Sequence, residues 1–299
     1  MKTQFLAFGA LSILTACSGG QYSPEPVPVD PPKDKVEISI SPSLTETRAT
    51  DDTFETGDCI GLYVVNYSGN IPNSLADYGN YVDNMRFTFS GSTWTPDQSV
   101  TWNDEKTHAD FYAYYPYNIV TKVNAMDFHV KADQSSEQAY MASDLMAGKN
   151  LDVTPTASAV DIPLSHLMSR AVISIVPGDG FNATSLAASK VTLRLNGLKC
   201  YCSVDLASGQ ITPTGTPVSV VPMKADDVYK AIIVPQDVET GNLISINVDG
   251  RDFNLQKSFT FESGKSHKFT VILNKTSTGV NVNITPWTDD NIDNGGSAF

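Results

Sequence analysis

The chain has 299 residues, enough for two ordinary domains or one large sandwich, and a formal net charge of −13. That acidity excludes nucleic acid and anionic membrane surfaces as electrostatic partners. It says little else about function.

The first residues read as a targeting segment. Lys2 supplies a short basic start, and 5–14 form an apolar run too short to span a bilayer. The run ends in Leu14-Thr15-Ala16-Cys17, small residues at a cleavage position followed by a cysteine whose thiol can take a diacylglycerol. A lipoprotein signal peptide over 1–16 and lipidation at Cys17 are therefore expected, because two or three acyl chains hold a protein stably on a membrane. Residues 17–35 are rich in proline and read as an extended linker. No transmembrane helix is expected elsewhere.

From residue 36 onward the pattern is period-2 alternation broken by Gly, Asn, Asp and Pro. The stretch 36–40 alternates apolar and polar. A polar tether follows over 41–52 and carries Arg48, the first basic residue after Lys35. Further strands are predicted at 60–66, 85–89, 108–115, 126–130, 160–164, 171–176, 190–195, 200–204, 218–221, 229–234, 243–248, 252–255, 267–273 and 280–286. Asp249-Gly250 between two of these runs is a hairpin signal. Helical periodicity is confined to a turn or two near 74–79 and 137–146. The fold class is all-β, with two sandwiches expected in tandem, 36–168 and 169–299.

Few residues suggest chemistry. His108, His129, His166 and His267 show no metal-ligand spacing, and there is no G-x-S-x-G elbow, phosphate loop or G-x-G-x-x-G. The tail places Asp289, Asn291 and Asp293 at alternate positions like a calcium loop, but Asn294 stands where glycine is needed. Once Cys17 is acylated, Cys59, Cys200 and Cys202 remain. Cys200 and Cys202 flank Tyr201 on one strand and face the same side, a poor geometry for a bridge, so buried free thiols are expected. Trp94, Trp102 and the run 110–117 could form a sugar-stacking platform, yet alternation explains them as core. It puts Phe111, Ala113 and Tyr115 on one face and Tyr112 and Tyr114 on the other. No catalytic residue, metal or cofactor is expected.

Several motifs, in order, resemble the fimbrillin family, the lipoprotein-precursor pilus subunits of type V fimbriae. These are the lipobox, Glu-Thr-Arg-Ala at 46–49, F-x-x-G-D-x-I-G-L-Y-V at 54–64, W-N-D at 102–104 and D-F-Y-A-Y-Y-P-Y at 110–117. S-D-L-M-x-G at 143–148, L-x-H-L-M-S-R-A-V-I-S-I at 164–175 and I-T-P-W at 284–287 continue the series. The resemblance implies two transthyretin-like sandwiches, a precursor anchored in the cell outer membrane through lipid on Cys17, and later residence in a surface fimbrium. It implies an Arg-specific protease cutting between Arg48 and Ala49, so that 36–48 is a removable first strand.

It also implies that a segment of a neighbouring pilin subunit fills the groove left behind. The candidate donor is 280–287, with Val280, Val282, Ile284 and Trp287 as its apolar residues, although the same strand could close its own domain. The function implied is a non-enzymatic pilus subunit assembled by strand exchange and used in adhesion. The alternative is a lipid-anchored surface adhesin or glycan-binding module that does not polymerise.

Overall fold

A computed structural model describes residues 35–44, 53–274 and the backbone of 296–298. Cys17, Arg48, Ala49, Val280, Val282, Ile284, Trp287 and the acidic tail lie outside the described residues. The described residues belong to one compact unit.

In chain order the first elements are β1 (Ile40–Leu44), β2 (Cys59–Asn66), β3 (Val82–Phe89), β4 (Trp94–Pro96), β5 (Ala109–Tyr115) and β6 (Met126–His129). The short helix α1 (Glu137–Met141), β7 (Met146–Val153) and β8 (Val160–His166) follow. All of these strands except β6 build a seven-stranded sheet in the order β1-β8-β7-β5-β2-β3-β4. Every pair in it is antiparallel save β1 with β8.

The chain continues with β9 (Ser169–Pro177), the helix α2 (Ala183–Ala188), β10 (Val191–Leu198), β11 (Tyr201–Val204), β12 (Ile211–Thr214) and β13 (Val218–Val220). It then runs through β14 (Met223–Ala225), β15 (Val228–Ile233), β16 (Gln236–Val248), β17 (Arg251–Phe261), β18 (Ser266–Leu273) and β19 (Gly296–Ala298). These give sheets ordered β13-β10-β16-β17 and β14-β15-β9-β18-β19, while β6 crosses over to complete a three-stranded sheet β12-β11-β6.

The centre of the seven-stranded sheet is buried on both faces, which is why β2 and β5 read as nearly continuous apolar runs. One face carries Ile60, Leu62, Val64, Phe111, Ala113 and Tyr115 into a core with Phe87 and Trp102. The other face sends Tyr63 and Tyr114 into a larger core shared with β9, β10, β15 and β18. Phe111, Ala113, Tyr114 and Tyr115 are therefore interior, divided between two cores as their alternation requires, while Tyr112 and Tyr117 are half-buried.

Three local expectations are corrected. Residues 74–79 form no helix: the loop is held by side chains, Asn80 Nδ2 donating to Ala76 O and Asn73 Nδ2 to Asn66 O. Such side-chain-to-backbone bonds compete with helix formation. Residues 146–153, not predicted as a strand, form β7. A Cβ on Gly148 would collide with the carbonyl oxygen of Pro163, so only glycine lets β7 and β8 approach this closely. The polar tether also begins later than its composition suggests, because Ser41, Pro42, Ser43 and Leu44 belong to β1.

Candidate functional site

The segment 36–44 is bonded along both edges. Its even-numbered backbone groups face 100–102: Ile38 N–H donates to Val100 O at 2.7 Å, and Trp102 N–H donates to Val36 O at 2.9 Å. Its odd-numbered groups face β8, where Val160 N–H donates to Ser39 O at 2.8 Å and the parallel register runs from Ile40↔Val160 to Leu44↔Leu164. The strand thus lies in a slot with two walls, antiparallel to one and parallel to the other. Ser99 Oγ adds a hydrogen bond of 2.8 Å to Glu37 Oε1 at the outer rim.

Side chains seal the slot. Ile38 and Ile40 are 4% and 5% exposed, packed in the same core as Val100, Trp102, Val160, Ile162 and Leu164. Ser39, Ser41 and Ser43 face solvent, and Leu44 is half-buried. Each fully buried isoleucine contributes about 1.5–3 kcal/mol. The floor is rigid as well: Trp102 Nε1–H donates to Thr156 O at 3.0 Å, and its ring meets Phe111 edge-on at 5.5 Å.

Beyond the tether, the chain is fastened again almost at once. Phe54 packs edge-on against Trp94 at 4.9 Å and Tyr115 at 5.7 Å, and Gly57 N–H donates to Phe89 O at 2.8 Å. Tyr115 Oη donates to Asp58 Oδ1 at 3.0 Å; burial, and then the neighbouring Asp58 charge, push the Tyr115 phenol well above its usual range. A polar stretch holding Arg48 is therefore bracketed by two ordered anchors. The other arginines, Arg86, Arg170, Arg194 and Arg251, all sit in strands.

The remaining candidates are accounted for structurally. His108 Nδ1 lies 2.6 Å from Asp152 and His166 Nδ1 lies 2.8 Å from Asp144, while His267 is buried against Phe259 and Phe261. Among the described residues no three His, Cys, Asp or Glu side chains gather as metal ligands, and no helix is long and apolar enough to cross a membrane. Cys59, Cys200 and Cys202 are free thiols. Cys200 and Cys202 point inward while Tyr201 between them is 59% exposed, and burial pushes the Cys202 thiol up to about 12. Sequence reasoning picked out Trp102 and the strand 160–164 separately. It gave no signal that 100–102 and β8 are the two walls of one slot.

The fold is shared with solved proteins of Bacteroides. A solved "putative cell adhesion protein" from Bacteroides uniformis superposes with a TM-score of 0.63 at 20% identity, covering 82% of this chain and 95% of that one. One from Bacteroides ovatus gives 0.60 at 16% identity, covering 80% and 91%. The family follows from sequence: the chain belongs to the fimbrillin-like family, whose pattern matches residues 47–287. It is 24% identical over 310 aligned positions to "Putative fimbrium subunit Fim1C" of Bacteroides uniformis, spanning 97% of both. Over 46% of its length it is also 30% identical to 27% of "Putative fimbrium tip subunit Fim1C" of Bacteroides ovatus.

Proposed function

We propose that this protein is a structural fimbrial subunit, exported as a lipoprotein through Cys17 and assembled by protease-triggered strand exchange. The observation that carries the reading is the slot. A first strand that is bonded along both edges and seals two isoleucines into a core is joined to the rest of the chain by a polar tether holding Arg48. A cut between Arg48 and Ala49 by an Arg-specific protease turns that strand into a dissociable peptide. Its departure leaves unpaired backbone groups on two walls and an apolar trough between them, a surface that a further strand satisfies.

In the intact precursor the resident strand is tethered at an effective concentration in the millimolar range, so no competitor displaces it. Once cut, it competes as a free peptide and the donor strand of another subunit prevails. The donor is the segment 280–287, whose apolar residues are Val280, Val282, Ile284 and Trp287; the first three, spaced two apart, share the face that enters the trough. The division into a receiving half, 36–168, and a donating half, 169–299, belongs to the same proposal. Because the contact joins different surfaces head to tail, it propagates into a fibre. The partners are then other pilin subunits, the protease, and the outer membrane through the lipid. The site of action is the cell-surface fimbrium, where such a fibre serves adhesion. Nothing in the slot calls for an enzymatic role.

The test is treatment of purified precursor with an Arg-specific protease, followed by unboiled gel electrophoresis. Ladders of subunits are expected for the wild type and none for Arg48→Ala. Wild-type protein that is cut after Arg48 yet stays monomeric at high concentration would overturn assembly by exchange and favour a non-polymerising adhesin.

A further inference from the structure

We propose that 280–286 of a second copy of this chain takes the place of 36–42 residue for residue, in the same direction and register. This rests on the strand-exchange reading above and adds to it the polarity and alignment of the incoming strand.

The two stretches share one pattern. Residues 36–42 read Val-Glu-Ile-Ser-Ile-Ser-Pro, and residues 280–286 read Val-Asn-Val-Asn-Ile-Thr-Pro. Val36 matches Val280, Ile40 matches Ile284 and Pro42 matches Pro286; Ile38 is answered by Val282 and Ser41 by Thr285. The inner positions have defined tasks in the slot, while Val36 at its mouth is 40% exposed. Positions 38 and 40 are the two sealed seats, at 4% and 5% exposure. Positions 39 and 41 face solvent, and both stretches put small polar residues there.

The proline fixes the alignment. The odd-numbered residues of the resident strand make the bonds to β8, so the N–H that Pro42 lacks would point away from β8, where 100–102 has already ended. A shift of Pro286 by one residue would put it where β8 needs an N–H donor, which excludes odd registers. It would also turn every apolar side chain to solvent. Reversal of the strand would bring the proline to the end that must donate to Val100 O. Among the even registers, only the one proposed puts Ile284 in the seat of Ile40. A similar run, Ile173-Ser174-Ile175-Val176-Pro177, is built into β9 and bonded on both sides by β15 and β18, so it is not free to leave.

Disulfide trapping tests the register. In the proposed alignment Thr285 of the donor stands opposite Asp161 of the acceptor, as Ser41 does in the precursor. Paired positions on neighbouring strands have the Cα separation a disulfide needs. Chains carrying Thr285→Cys are mixed with chains carrying Asp161→Cys, cut with Arg-specific protease, and mildly oxidised. A parallel mixture replaces Asp161→Cys with Ala159→Cys, two residues out of register. The uncut Ser41→Cys/Asp161→Cys precursor serves as the control for folding and geometry, and it should close its internal bridge.

The expected result is a cross-linked dimer at position 161 at least tenfold above that at 159. Ladders that form with cross-linking at 159, or with none at 161, overturn the register while leaving strand exchange standing. No ladder, with the control bridge formed, overturns both. As an independent measure, Val282→Ile should slow release of the donor several-fold by filling the larger seat of Ile38, and an unchanged or faster release would count against the alignment.

Discussion

Ile38 and Ser39 are adjacent in sequence but bonded to opposite walls: the N–H of Ile38 donates to Val100 O at 2.7 Å, while the carbonyl of Ser39 accepts from Val160 N–H at 2.8 Å. The crossover from one wall to the other occurs within two residues. A strand held in this way cannot be peeled from one side alone. Both ladders must open before the apolar seats are exposed.

The seats set the stability of the intact chain. Ile40→Ala should lower unfolding stability of the intact chain by about 2–5 kcal/mol, the usual cost of truncating a buried isoleucine. Equilibrium urea unfolding of the uncut protein measures this. Under the strand-exchange proposal the same substitution should leave the dissociation of assembled subunits unchanged, because the altered strand would no longer be part of them. An equal loss in both forms would show that 36–44 stays in place after cutting.

Gly148 sets the spacing of the wall. In Gly148→Ala the new methyl would have to displace the Pro163 carbonyl, whose oxygen already occupies the space a Cβ needs. Forced displacement of packed backbone typically costs about 1–3 kcal/mol. The melting temperature of the precursor should fall by several degrees. Assembly after trimming should weaken in parallel, since β8 forms one wall of the slot.

Much of this architecture is legible in the sequence, and the failures have physical causes. The alternation in Phe111-Tyr112-Ala113-Tyr114-Tyr115 announced two opposed faces, and both proved interior. Asp249-Gly250 announced the β16–β17 hairpin, and both residues take positive φ, 50° and 89°. β7 was hidden because Gly148 and Lys149 interrupt its apolar pattern at the point where backbone proximity, not side-chain burial, decides the pairing. α2 was hidden because its start depends on a reciprocal cap between Asn182 and Ser185 rather than on a hydrophobic stripe. The walls of the slot were hidden because pairing between Ile40 and Val160 is long-range and parallel, which no local signal encodes.

The thiols should separate by reactivity. Burial raises the pKa of both Cys200 and Cys202, so neither presents thiolate at neutral pH. In native protein an alkylating reagent should modify Cys59, which is partly exposed, and leave the other two untouched until denaturant is added. Peptide mass mapping after brief alkylation reads this directly. Rapid native labelling of Cys202 would mean that β11 opens readily.

Alkaline stability follows from the tyrosines. Burial first of all raises the phenols of Tyr63, Tyr114 and Tyr115. The unfolded chain ionises near its ordinary value of about 10. The folded state therefore holds protons that the unfolded state releases, and its advantage is complete below pH about 10 and shrinks as pH rises beyond it. Thermal melts between pH 8 and 11 should be flat to about pH 10 and then fall. Tyr115→Phe should soften that fall, though it also removes the bond to Asp58.

Pro42 has a consequence for the intact molecule. β1 is the outermost strand of its sheet, and beyond 100–102 its outer edge would otherwise offer a continuous row of groups to any passing chain. The missing N–H and the rigid ring interrupt that row, so the edge is a poor template for uncontrolled aggregation. Many copies of the intact chain can then be held at high concentration without joining edge to edge.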